Sequence, residues 1–274
     1  MSVTESRDPS APRRLDWPGL LTVTLGVAAV TAGVDGAEQW GWDSPATIGC
    51  LVGGIGLLVA FFAIERGVAN PLVDLKLLRN RPFVLIVTTG STLDATYAVA
   101  LFLGTLYLQN VRGLEPLIAG VIFLAPAVMQ ALAGPISGRV AGITGPAQIM
   151  AACSLGSATA PVDSYWLFVP LFGLVGLALG LGWTYAGVGT QQVVRPERAG
   201  EAAGVQLTAL VTCGGIAVAL AATVLELLGD GGTSQADGIE IVLMACGALL
   251  AVQTVVVAAL IPRMRREAAV ADAG

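Results

Sequence analysis

Apolar residues come in long blocks along this chain, broken by short stretches where charges, prolines and glycines collect. A helix crossing the hydrocarbon core of a bilayer needs about 20 such residues, within a range of about 17–25. By that measure the blocks predict eight spans, near 19–37, 46–64, 83–108, 117–138, 147–162, 166–188, 202–228 and 239–261. The third is long and the fifth is short. The fifth, as a helix, rises only about 24 Å, short of a core of about 30 Å. Pro45, Pro82, Pro116, Pro146 and Pro262 fall at or near span ends, where a missing N–H costs little. The fold class that follows is all-α, a polytopic membrane helix bundle.

Composition agrees. Hydrophobic residues make up 55% of the chain and charged residues 12%, against about 25% charged in an ordinary soluble domain. The net charge of −5 changes the picture only through its placement. With the N-terminus in the cytoplasm, the inner side carries Arg7, Arg13, Arg14, Arg66, Lys76, Arg79, Arg81, Arg139, Arg195, Arg198, Arg263, Arg265 and Arg266, which is 13 of the 14 basic residues. The outer side keeps Arg112 beside acidic loops. That asymmetry predicts both termini in the cytoplasm and a home in the cytoplasmic membrane. Trp17, Trp40, Trp42 and Trp166 fit the interfacial belt. The polar start, MSVTESRDPSAPRRLDWPG, leads into an apolar run to about Ala37 without a small-residue cleavage site, so the first run reads as a retained span.

Several function classes drop out. Histidine is absent, which removes the commonest metal ligand and general base. Cys50, Cys153, Cys213 and Cys246 lie apart inside apolar segments and read as packing residues, not as a metal or disulfide framework. There is no phosphate loop ahead of a helix and no nucleophile with an evident base, so the chain reads as no enzyme, with neither cofactor nor metal. No basic patch suits nucleic acid. Small pairs at helical spacing, Gly49 with Gly53, Gly176 with Gly180 and Gly200 with Gly204, predict close helix packing in lipid.

Five stretches carry a more specific signal: "LDWPGLL", "EQWGWDSP", "ERGVANPLVDLKLLRNRPF", "LYLQNVRGLEPLIAGVIFLAPA" and "VRPERAGEAAGVQLTAL". In this order and spacing, from Leu15 to Arg263, they resemble the fourteen-span multidrug/proton antiporter branch of the major facilitator superfamily, and in particular its C-terminal part. The resemblance implies a cytoplasmic tail at 1–18, two linker-type helices over 19–64, a cytoplasmic loop at 65–82, a six-helix bundle over 83–262 that is half of a major facilitator fold, and a tail at 263–274. It implies small-molecule efflux coupled to protons. Two six-helix halves rock about a midplane site in such transporters, so a partner N-terminal half or self-association is expected as well. The alternative is a truncated, non-transporting remnant or a membrane interaction protein. A cytoplasmic gating loop is implied at Gly138, Arg139 and Gly145, within "GPISGRVAGITGPAQIM". There Gly142 stands where the family has an acid, and Ile143, Ala147 and Gln148 stand where it has bases.

By the same resemblance the third span lines the central cavity, and it holds the most conspicuous residue of the chain. Asp94 sits near its middle with Ser91, Tyr97 and Thr105 on much the same side. A charge at that depth costs about 2.5–3.5 kcal/mol on insertion scales, which marks intramembrane acids as functional candidates. Asp94 is therefore a candidate proton or cation site, for a small and cationic substrate. The alternative is a protonated Asp94 hydrogen-bonded to Ser91 or Tyr97. Gln130 in the fourth span is a weaker candidate, better explained by a helix–helix hydrogen bond. Trp183, Thr184 and Tyr185 in the sixth could offer aromatic walls to a cation or simply pack. Asp35, Glu38 and Glu226 read as interfacial.

Overall fold

The structure, a computed structural model, describes residues 16–68, 77–140, 165–195 and 198–271. Seven long helices account for nearly all of them. They are α1 (Trp17–Trp40), α2 (Pro45–Glu65), α3 (Arg81–Leu106), α4 (Pro116–Val140), α5 (Tyr165–Gln192), α6 (Ala199–Asp230) and α7 (Gln235–Ala271). A short 3-10 turn (Leu77–Arg79) precedes α3, and a π turn (Tyr107–Val111) ends it. The expected fifth span, 147–162, lies outside the described residues, as does Gly145.

Local chemistry sets the helix starts. Asp16 accepts the Gly19 N–H at 3.0 Å, Ser44 accepts that of Ala46 at 3.3 Å, and Asn80 accepts that of Phe83 at 3.3 Å. A proline follows each of these caps in the first turn, where its missing donor would have been unsatisfied anyway. Ser234 opens α7 by accepting the Asp237 N–H at 3.2 Å while its hydroxyl donates to the Asp237 carboxylate at 2.7 Å.

Each of the seven helices is long and apolar enough to cross a membrane. Their outward faces carry large apolar side chains, among them Val52, Leu117, Val128, Val211 and Val255. A water-soluble protein rarely exposes such continuous apolar surface, whereas lipid is its natural solvent. Trp17, Trp40, Trp42 and Trp166 are exposed at helix ends, Trp166 to 92%. The protein is an all-α, multi-pass membrane protein.

The core gathers around α3, which packs against α5, α6 and α7. Leu93, Ala178, Tyr185, Ala186 and Leu250 form one buried cluster, and a larger one runs from Val99 and Leu103 through Tyr107 and Leu108 to Ile239 and Val242. Phe123, Phe172, Phe168 and Tyr107 stack in succession, with ring centroids 5.2–5.8 Å apart, and tie α4, α5 and the π turn together. The α1–α2 hairpin joins the bundle through α6.

The glycine contacts fix the helix directions. Gly173 faces Ala125 and Met129, Gly176 faces Pro126, and Gly180 faces Gln130 and Ala133. Partner numbers rise together, so α4 and α5 run parallel, and Val140 and Tyr165 lie at opposite ends of the bundle. By the same reasoning α3 and α6 are parallel, since Gly90 meets Leu210 while Asp94 and Ala98 meet Gly214. These directions sort the charges. The end where α1, α3 and α6 begin holds Arg66, Arg79, Arg81, Arg139, Arg195 and Arg198. The opposite end holds Asp35, Asp43, Glu115, Glu226, Asp230, Asp237 and Glu240, with Arg112 against the Tyr107 ring.

Among the three expected small-residue pairs, the structure uses one. Gly176 and Gly180 bring α5 onto the backbone of α4, whereas Gly49, Gly53, Gly200 and Gly204 have nothing within 4 Å of where a Cβ would stand. The α1–α2 contact uses Gly26 and Gly54 instead, on a different face of α2 from Gly49 and Gly53. A Cβ on Gly54 would lie 2.8 Å from the Val30 backbone nitrogen.

Candidate functional site

Helix α3 is unusually rich in hydroxyls for a membrane helix, and most of them are already spent. Thr88, Thr89, Thr92, Thr96 and Thr105 each donate to the carbonyl four residues back, at 2.6–2.9 Å. Such back-bonding satisfies a hydroxyl in an apolar medium without a partner helix. These threonines are thereby explained as passengers of the helix, Thr105 of the expected polar stripe included.

Three polar side chains of α3 behave differently. The Tyr97 hydroxyl crosses to α4 and donates to Gln130 Oε1 at 3.5 Å, a long bond. Ser91 is buried and its hydroxyl has no hydrogen-bond partner among the described residues. Asp94 is half-buried and turns its carboxylate toward α6, where Oδ2 lies 3.3 Å from the point a Cβ on Gly214 would occupy. Neither Ser91 nor Tyr97 donates to Asp94 among the described hydrogen bonds; Tyr97 is engaged by Gln130 instead. The arrangement is an intramembrane carboxylate beside a phenol–amide pair, seated where a glycine leaves room for it.

The remaining expected residues fall in two groups. Trp183 is half exposed at the surface of α5, and Thr184 donates back to Gly180 at 2.8 Å. Tyr185 is buried to 3% exposure in the Leu93–Leu250 cluster and donates to the Ser137 carbonyl of α4 at 2.7 Å. This bond straps α5 to the last turns of α4. Tyr185→Phe keeps the ring and removes the donor, so it is expected to cost about 1 kcal/mol. Thermal unfolding in detergent should register that loss. Of the expected gating residues, Gly138 and Arg139 belong to the last turn of α4, with Arg139 exposed.

Two residues near this site carry no pattern that periodicity picks out. Gly214 opposes Asp94, and only the double glycine Gly214–Gly215 inside an apolar block hints at a close approach. Gln253 of α7 donates to the Thr89 carbonyl at 3.0 Å and clamps α7 onto α3. An amide inside the last apolar block is its one visible signal. Among the described residues no group of three or more acidic or thiol side chains could hold a metal.

Comparison with known proteins places this arrangement. The family profile described as Major Facilitator Superfamily matches residues 17–222. The Tetracenomycin C resistance and export protein of Streptomyces glaucescens is 29% identical over 229 residues, covering 80% of this chain and 42% of that protein. The Puromycin resistance protein pur8 of Streptomyces alboniger is 30% identical over 248 residues, covering 83% of this chain and 48% of that protein. The Multidrug resistance protein Stp of Mycobacterium tuberculosis is 33% identical over 133 residues, covering 48% of this chain and 25% of that protein. The chain spans less than half the length of these relatives. The profile match runs from the first residue of α1 well into α6, through the helices that frame Asp94, and on that ground the chain belongs to the major facilitator superfamily.

Proposed function

We propose that this chain forms the C-terminal half of a proton-coupled efflux transporter for small organic molecules, of the fourteen-span kind. The observation that carries the reading is Asp94: a carboxylate midway along α3 that accepts no hydrogen bond from the described residues, while the threonines around it are satisfied within their own helix. Such a group can hold either a proton or a cation. The names of the relatives, resistance and export proteins, support the efflux class. Asp94 is the exchanging site in this reading. Tyr97 and Gln130 border it, Ser91 lies one turn away, and Trp183 and Tyr185 are second-rank candidates on α5.

The proposed topology has eight crossings, with the arginine-rich end in the cytoplasm by the positive-inside rule and the cytoplasmic membrane as the host bilayer. Two linker helices, α1 and α2, lead into a six-helix bundle. The parallel course of α4 and α5 supports one return crossing between them. One half supplies one wall of a transport cavity, and alternating access needs a second half to move against. That half is a separate six-span chain, an extension of this one, or a second copy. Gently solubilised from its own membranes, the tagged chain is expected to purify with a six-span partner or as a larger product. Purification as a lone 27.8 kDa species would overturn the transporter-half reading in favour of a non-transporting remnant.

A further inference from the structure

A polar-lined cavity lies away from Asp94, at the acidic end of the bundle. It measures about 650 Å³, is partly open, and is lined by α1, α3, α6, the α6–α7 turn and the first turn of α7. Asp35 of α1 and Glu226 of α6 border it from two elements, and Phe102, Leu106, Val218 and Leu225 supply an apolar wall. Sequence position alone assigns both acids to the membrane interface; the docking of α1 on α6 brings them to one space.

Size, lining and field agree on one class of ligand. Pockets for small organic molecules run from about 300 to 1,000 Å³ and combine apolar walls with a few polar groups. Two carboxylates without a basic residue in the lining select a positive charge. Among the described residues, seven acids gathered at this end, against Arg112 alone, raise the local concentration of cations. An aromatic ring in the wall adds attraction for an organic cation. The geometry points to a second binding site, between the linker helix α1 and the bundle, for a lipophilic ammonium-type cation whose charge lies between Asp35 and Glu226 and whose apolar body lies against Phe102 and Leu225. All of its lining residues named here belong to this chain, and the site holds whether or not the chain transports. Its occupant is either a free organic cation or the amine headgroup of a lipid, which share the chemistry that the cavity reads.

The test is equilibrium binding of tetraphenylphosphonium to the full chain in nanodiscs of phosphatidylglycerol. It uses the Asp94→Asn background, so that binding at the central carboxylate cannot contribute. Asp35→Asn with Glu226→Gln is expected to weaken binding about tenfold. Ala222→Phe, which fills the cavity and leaves its charges alone, is expected to weaken it at least as much. Both acids are exposed, so the amides are compatible with folding. If the pair fails to give monodisperse protein, Asp35→Asn alone carries the test, with about threefold weakening. Affinity within twofold of the starting protein in the charge variant, or in Ala222→Phe, overturns the site. Adding phosphatidylethanolamine separates the sources. Competition with the probe, lost in the charge variant, identifies a lipid amine; no competition identifies a free cation. Either result supports the cation site.

Discussion

Asp94→Asn is expected to abolish the pH dependence of substrate binding in the proposed transporter, with protein yield unchanged. The reasoning starts from cost. A carboxylate midway along a membrane helix is disfavoured by about 2.5–3.5 kcal/mol on insertion scales, and α3 could have carried threonine there at no such cost, as it does at five other positions. Asparagine keeps the size of the side chain and its room beside Gly214, and removes only the titration. In the proposed mechanism a proton and a cationic substrate compete for one carboxylate. Cation binding therefore weakens as pH falls, by up to about tenfold per pH unit once the carboxylate is mostly protonated. The amide variant should lose that slope, and Asp94→Glu should restore it. Binding of an organic cation followed from about pH 5.5 to about pH 8.5 reads the effect. An unchanged slope in Asp94→Asn would remove Asp94 from the coupling. Asp35→Asn with Glu226→Gln serves as the control, because that pair lies outside the central region and should leave the slope in place.

Much of this architecture is legible in the sequence because the bilayer imposes one ruler on every span. Seven of the eight predicted spans fall on described helices, most within a few residues, although α7 runs on to Ala271, past the predicted end at 261. Their starts are marked by Asp16, Ser44 and Asn80, each followed within two positions by proline. The sorting of arginine to one end follows from the same ruler. Lateral neighbours are another matter. Lipid makes every apolar face equally acceptable, so the periodicity that identifies a core face in water is silent here. That is why Gly49–Gly53 and Gly176–Gly180 look alike as strings, although one pair is open and the other is pressed against a backbone. It is also why the Asp94–Gly214 contact and the joint cavity of Asp35 and Glu226 emerge only once α6 has been placed beside α3 and α1. Hydroxyls mislead for a related reason. A stripe of Ser, Thr and Tyr suggests a polar path, yet the threonines of α3 consume their own carbonyls, and only Asp94, Ser91 and Tyr97 remain to be explained.

The difference between those glycine pairs makes Gly176→Leu the most damaging single substitution expected in the bundle. A Cβ at Gly176 would collide with the Pro126 carbonyl group and Cα, and one at Gly180 would stand 2.5 Å from the Ala133 Cβ and 2.8 Å from the Gln130 carbonyl oxygen. Backbone cannot step aside as the tip of a side chain can, so α5 must move off α4 as a body. In lipid no hydrophobic driving force holds the two helices together, and close packing is the main attraction that is lost. Alanine at Gly176 should already cost about 1–3 kcal/mol through overpacking, a large share of a typical total of about 5–15 kcal/mol. Leucine should leave no monodisperse protein. The damage would reach the candidate site as well, because the strand of contacts through Gly180 sets the position of Gln130, which receives the Tyr97 hydroxyl. Gly53→Leu is the matched comparison, the same chemical change on a lipid-facing glycine with open space around it, and it should stay within about 0.5 kcal/mol of the parent protein. Size-exclusion profiles and thermal unfolding in detergent compare the two directly. Equal behaviour of Gly176→Leu and Gly53→Leu would mean that α4 and α5 are not held by this contact, and with it would go the parallel arrangement on which the proposed eight-crossing topology rests.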